Sequence, residues 1–216
     1  MEKLKNFFSK FIKKGDIVLI HSDIRKYLWL FRDNFENFDE GLSHFINTLK
    51  NLVGEEGTIL FPTFNWDFCK GKPFDYRNSP SQVGTLSNFA LKQEDFKRTK
   101  HPIYSFAVWG KYQKELYNLD NFSSFGIDSP FGFLYKNNGK IILFDVDYQR
   151  SFTYVHFVEQ QLNVDYRYEK IFKAPYIDSN GNCEIKEYSM FVRDIERGVL
   201  THINPLQKIL EDEGIV

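Results

Sequence analysis

Two short, unbroken apolar runs constrain this chain most. Ile17-Val18-Leu19-Ile20 and Thr58-Ile59-Leu60-Phe61 show no polar alternation. A strand with one wet face alternates apolar and polar residues, so runs like these read as strands buried on both faces. Each follows a helical pattern. Residues 3–13 place Leu4, Phe7, Phe8, Phe11 and Ile12 on one side, and residues 38–53 do the same with Leu42, Phe45, Ile46, Leu49 and Val53. Gly15-Asp16 ends the first helix, and Gly54 and Gly57 close the second. An α-β-α-β opening predicts an α/β fold: a mainly parallel central sheet flanked by helices.

Further along, a helix is expected over 83–92, opened by Ser81 as its cap. A strand is expected over 104–109, a buried strand over 140–146 and a helix over 152–162. Asn180-Gly181 sits between strand-like segments and predicts a C-terminal β-hairpin within 170–200. A short helix over 205–214 ends the pattern. No repeat or proline-rich linker divides the 216 residues, so one domain over 1–216 is expected.

Charge and cysteine content narrow the function classes. The net charge is -1, without the basic surplus of a nucleic-acid binder. No apolar run is long enough for a membrane span, and the first residues lack the apolar core of a signal peptide. Cys69 and Cys183 are the two cysteines, too few for a disulfide scaffold or a four-thiolate zinc site. A reducing cytoplasm, with no metal, is the expected setting. Aromatic residues reach 18%, with 23 Phe and 12 Tyr. Rings are core residues first, so most are expected to fill the interior.

In open α/β sheets, ligands bind beyond the carboxyl ends of strands. His21 and Ser22 follow the first apolar run, Thr63 the second, and Asp145 and Asp147 a later one. In Thr153-Tyr154-Val155-His156-Phe157-Val158-Glu159, helical spacing puts His156 and Glu159 on one face. Such a pair is a general base with its orienting carboxylate, or a buried hydrogen bond that satisfies two polar groups. A single His-x-x-Glu gives no di-metal site. Pro102 holds His101 extended at a loop-to-strand junction, a place for function or for capping a backbone carbonyl. The segment Ser79 to Leu86 can present backbone N–H groups to an anion, although neither G-x-x-x-x-G-K-[ST] nor G-x-G-x-x-G occurs. Ser129-Pro130-Phe131-Gly132 reads as a turn into a short helix. In the loop Phe64-Asn65-Trp66-Asp67-Phe68-Cys69, rings and Asp67 suit an amine-bearing sugar, or a lid packed on itself. Cys69 reads as structural.

Taken in order, these segments resemble the aminoglycoside 3-N-acetyltransferase family. The resemblance rests on Gly15-Asp16-Ile17-Val18-Leu19-Ile20-His21-Ser22 and Gly57-Thr58-Ile59-Leu60-Phe61-Pro62-Thr63-Phe64. It continues through Pro73-Phe74-Asp75, Ser79-Pro80-Ser81, Val83-Gly84-Thr85-Leu86, Arg98, His101-Pro102 and Ser105-Phe106-Ala107. It ends with Ser129-Pro130-Phe131-Gly132, Gly139-Lys140-Ile141-Ile142-Leu143 and the Thr153–Glu159 segment. It implies direct acetyl transfer from acetyl-CoA to an amine. His156 would be the general base, Glu159 its orienting partner, and Thr153 and Ser22 candidate oxyanion donors. The same likeness puts His21, Ser22, Val83, Gly84, Thr85, His101, Ser105 and Phe106 on the CoA side, and no metal is implied.

Two features depart from the family. Asp23 stands where a second serine is frequent, and the chain is shorter than many drug-modifying members. The Phe64–Asp75 stretch looks like members tied to surface-polysaccharide and amino-sugar pathways. The expected acceptor is therefore an amino sugar, nucleotide-linked, with Phe64, Trp66, Asp67 and Arg98 as its contacts. Lys70, Lys72, Arg77 and Arg98 would meet its phosphates, or form a solvated charged loop. The alternatives are a true aminoglycoside 3-N-acetyltransferase and a non-catalytic CoA- or sugar-binding module. Retention of both His156 and Glu159 weighs against the last. A homodimer is left open.

Overall fold

The structure, a computed structural model, describes residues 2–216. Helix α1 (Glu2–Phe8) leads into strand β1 (Ile17–Ser22). Two helices, α2 (Arg25–Leu30) and α3 (Phe38–Val53), precede β2 (Thr58–Pro62). A long excursion then carries the two-residue strand β3 (Phe74–Asp75), helix α4 (Thr85–Leu91) and the short strand β4 (Lys97–Arg98). Next come β5 (Phe106–Gly110), α5 (Gln113–Asn118), α6 (Pro130–Lys136) and β6 (Lys140–Phe144). The remainder is α7 (Tyr148–Ser151), α8 (Tyr154–Gln161), the hairpin β7 (Arg167–Ile177) and β8 (Cys183–Arg193), and α9 (Asn204–Asp212).

The central sheet has the order β4-β5-β2-β1-β6. β1 runs parallel to β2 and to β6, whereas β2–β5 and β5–β4 are antiparallel. The sheet is therefore mixed rather than mainly parallel. An apolar run is buried equally well in either direction, so burial alone did not reveal the reversal at β5. A second sheet, β3-β7-β8, is the predicted hairpin with β3 added to its edge.

Every residue of β2, and all of β1 except Ser22, is buried, as unbroken apolar runs require. Alternate side chains feed two cores. Val18, Ile20, Ile59 and Phe61 pack under α1, α3 and α4 with Phe8, Phe45 and Leu49. Ile17, Leu19, Leu60 and Val108 pack on the other face with Phe64, Phe106, Phe131, Phe157 and the hairpin's Tyr176 and Tyr188. Helix α3 matches its expected limits because the Asn37 side chain accepts from the Glu40 N–H at 2.9 Å and Gly54 ends it at φ 67°.

Other boundaries shift for physical reasons. Phe7 and Phe11 face solvent, since α1 stops at Phe8 and tighter turns carry the chain on to Ile12. Ser81 does not cap α4: its hydroxyl accepts from the Val83 N–H, and Gly84 is the capping residue. The helix expected over 152–162 is α8, which starts two residues later because Phe152-Thr153 separates it from the short preceding α7. β6 lies at the sheet edge and is half-buried, not enclosed. In the Ser129–Gly132 segment, Ser129 caps α6, and a side chain at Gly132 would come within 2.2 Å of the Ile127 carbonyl oxygen.

Candidate active site

Helix α8 carries His156 and Glu159 three residues apart, hence on one face. His156 Nδ1 lies 2.7 Å from Glu159 Oε2. The Tyr166 hydroxyl donates to Glu159 Oε1 at 3.2 Å, and Arg167 Nε lies 2.8 Å from Oε2. The Arg167 approach is that of an ion pair, without a straight N–H···O line. All three side chains of the cluster are largely buried: 18% of His156, 15% of Glu159 and 7% of Arg167 remain exposed. Burial pushes the Glu159 carboxyl up, but the His156 hydrogen bond and the Arg167 charge outweigh it and hold the carboxyl below its ordinary value. An ionised Glu159 accepts from Nδ1–H, which leaves the lone pair on Nε2. Nε2 has no hydrogen-bond partner among the described residues. Such an imidazole can take a proton from an incoming amine. Thr153 is half-buried at the N-cap of α8, and its carbonyl accepts from the His156 N–H at 3.0 Å.

The end of β1 forms a second locus. His21 is buried, and its Nε2 has no hydrogen-bond partner among the described residues. Burial lowers its pKa to about 4, so the ring is neutral at pH 7. The Ser22 carbonyl faces Gly84, where a Cβ would meet it at 3.9 Å, and Gly84 has φ 137°. This brings His21-Ser22 beside Val83, Gly84 and Thr85. Rings link this locus to α8 on one face of the sheet. His21 contacts Phe64 at 6.1 Å, Phe64 contacts Phe131 at 6.4 Å, Phe131 contacts Phe125 at 5.4 Å and Phe125 contacts His156 at 5.6 Å. Asp23 is occupied by Arg25, whose side chain donates to both carboxylate oxygens.

Several expected ligand contacts belong instead to the scaffold. Arg98 is buried, donating from Nε to Ser105 Oγ at 3.0 Å, from NH1 to the Ser79 carbonyl at 2.5 Å and from NH2 to the Thr63 carbonyl at 3.0 Å. It also stacks on Phe74 at 4.6 Å, and burial lowers its pKa to about 10. Ser105 is enclosed, donating to the Thr63 carbonyl. His101 accepts at Nδ1 from the Ile103 and Tyr104 N–H groups, and its other ring nitrogen lies 3.4 Å from Ser124 Oγ beside the Phe122 and Ser189 carbonyls. Desolvation lowers its pKa to about 3. Phe64, Phe68, Phe106 and Phe131 are all core rings. Trp66 stays half-buried, its indole N–H donating to the Tyr104 hydroxyl at 3.4 Å. Asp67 is held by Lys70 at 3.2 Å and Lys72 at 3.5 Å, and Arg77 lies 4.0 Å from Asp75. Arg98 is thus enclosed, whereas Lys70, Lys72 and Arg77 form exposed pairs in a solvated charged loop. No cluster of metal-ligating side chains occurs among the described residues.

Tyr166 and Arg167 escaped the sequence reading. Both lie where the loop after α8 enters the hairpin, and only the folded path brings them back onto Glu159. A charged residue at the head of a strand reads as a solvated edge, so spacing carried no signal.

The family profile for aminoglycoside 3-N-acetyltransferase matches residues 19–216. The SPbeta prophage-derived aminoglycoside N(3')-acetyltransferase-like protein YokD of Bacillus subtilis (strain 168) is 27% identical over 202 residues, 82% of this chain and 69% of that protein. Among solved structures, AAC-IIIb in binary complex with CoASH superposes with a TM-score of 0.78 at 16% identity, over 99% of this chain and 84% of that one. Sisomicin-bound AAC-VIa gives 0.73 at 18%, over 88% and 75%. These likenesses are of fold, and the profile match over nearly the whole chain carries the assignment. The chain belongs to the aminoglycoside 3-N-acetyltransferase family.

Proposed function

We propose that the protein transfers the acetyl group of acetyl-CoA to a primary amine on an aminoglycoside-type amino sugar. The observation that carries this is the buried His156–Glu159 pair with Nε2 left open. As the amine attacks the thioester carbonyl carbon, it sheds a proton to His156 Nε2. The C–S bond then breaks, and the CoA thiolate leaves with a proton returned by the imidazolium. Glu159 holds the ring in the accepting tautomer throughout. The locus at His21, Ser22 and Gly84 lies at the carboxyl end of β1, where an open sheet takes its ligand, and suits the CoA arm.

A nucleotide-linked acceptor loses its physical support. Arg98 is buried on three oxygen acceptors, and Lys70, Lys72 and Arg77 each face a carboxylate. An acceptor with its own ammonium groups asks for no such cations. The test is thiol release from acetyl-CoA with sisomicin, apramycin and a UDP-linked amino sugar as acceptors. Release with an aminoglycoside and none with the nucleotide sugar is the expected result. Turnover of the nucleotide sugar alone would overturn the acceptor assignment.

A further inference from the structure

We propose that Arg167 is a positioning residue for His156, supplied by the hairpin to hold the dyad in its proton-accepting state. This rests on the reading of His156 as the base in acetyl transfer. Three observations carry it. Arg167 Nε and His156 Nδ1 converge on the same oxygen of Glu159, at 2.8 and 2.7 Å. Arg167 is the least exposed of the three side chains, at 7%. Its NH1 also donates to the Phe191 carbonyl on β8 at 3.3 Å, which anchors the guanidinium to the hairpin.

A carboxylate alone beside an imidazole stabilises the imidazolium, and an imidazolium accepts no proton. A guanidinium on the same carboxylate offsets that pull while keeping the carboxylate ionised and accepting. The groups that face this cluster are few. Glu159 comes from α8, Tyr166 and Arg167 from the start of the hairpin, and the Phe125 ring covers the imidazole at 5.6 Å. The buried Tyr104 lies close enough to Arg167 to feel its charge, and burial raises its hydroxyl to about 12, so it stays neutral. Arg167 is therefore the one cation that meets Glu159 among the described residues.

The experiment reads the ring directly, without an acceptor. The imidazole nitrogens of His156 are followed by NMR across pH in the parent and in Arg167→Gln, Arg167→Met and Arg167→Lys. In Gln and Met variants, the imidazolium is expected to persist to higher pH by about one unit, a tenfold gain in proton affinity. Arg167→Lys, which keeps the charge, should titrate with the parent. In turnover of acetyl-CoA with sisomicin, the Gln variant should lose kcat with KM little changed. A folded Gln or Met variant that titrates with the parent overturns the proposal. If Met does not fold, Gln, which keeps polar packing, decides alone. If the titration moves as expected but His156→Ala keeps full turnover, the Arg167 coupling stands and the assignment of the base falls.

Discussion

His156 and Arg167 reach one carboxylate oxygen of Glu159 from two different elements, α8 and β7. A helix alone can align a histidine with a carboxylate. The positions three and four beyond Glu159 are the uncharged Leu162 and Asn163, so no opposing charge comes from this element. The hairpin brings that charge, so the second sheet is part of the site's electrostatics as well as its wall.

The first consequence concerns turnover. His156→Ala removes the proton acceptor, and Glu159→Gln removes the charge that fixes its tautomer. Each is expected to cut kcat by about 10²–10⁴-fold, the usual range for a positioned acid–base group. Helical circular dichroism should match the parent. Thiol release from acetyl-CoA measures the effect, and near-parental rates in both variants would remove the dyad from the chemistry.

Arg98 should behave as a staple and not as a substrate contact. Replacing it with Met leaves the Ser79 carbonyl without its donor in the interior, whereas the Thr63 carbonyl keeps the Ser105 hydroxyl and Ser105 Oγ keeps Thr63 Oγ1. One buried orphan costs about 1–3 kcal/mol, so a loss of about 1–3 kcal/mol is expected. That corresponds to a fall in Tm of roughly 2–12 °C for a chain of this size. Arg98→Lys should recover only part of it, because a single ammonium does not match the planar fork. A Met variant with parental Tm but a raised acceptor KM would return Arg98 to the binding site.

The same residue shows what was and was not legible in the sequence. The apolar runs of β1 and β2 and the span of α3 follow from local pattern, because burial and capping act within a few residues. Arg98, His101 and Ser105 sit in a polar stretch whose local pattern says loop. Their burial comes from β3 and the hairpin closing over that loop, a contact between distant parts of the chain. The His156–Glu159 spacing was legible because a helix makes it local. Arg167 was not, since its partner lies across a turn that spacing cannot trace.

Stability should fall with acid before the carboxylates titrate. His21 and His101 have folded pKa values of about 4 and about 3, against an ordinary 6.5. Below pH 6.5 the unfolded chain binds these two protons and the folded chain does not. Their contribution is therefore fully present above 6.5 and is lost progressively as pH falls to about 4 for His21 and about 3 for His101. Each adds a slope of about 1.4 kcal/mol per pH unit at its steepest. Urea melts at pH 7, 6, 5 and 4.5 measure this. His101→Gln should remove about half of the slope between 6 and 4.5, and an unchanged slope would show that the ring takes up its proton without unfolding.

The unpartnered Nε2 of His21 predicts an exchange of stability for affinity. A buried polar nitrogen without a partner destabilises the free protein, at about 1–3 kcal/mol for such groups. His21→Leu removes it at similar volume, so the variant should unfold about 1 kcal/mol later in denaturant. If the nitrogen serves the CoA arm, the same change should weaken acetyl-CoA binding about tenfold, the loss of one hydrogen bond. Calorimetric titration of acetyl-CoA into both proteins separates the two effects. Higher stability with unaltered affinity would make His21 a flaw in the core, whereas higher stability with weaker binding marks it as a group kept for its ligand.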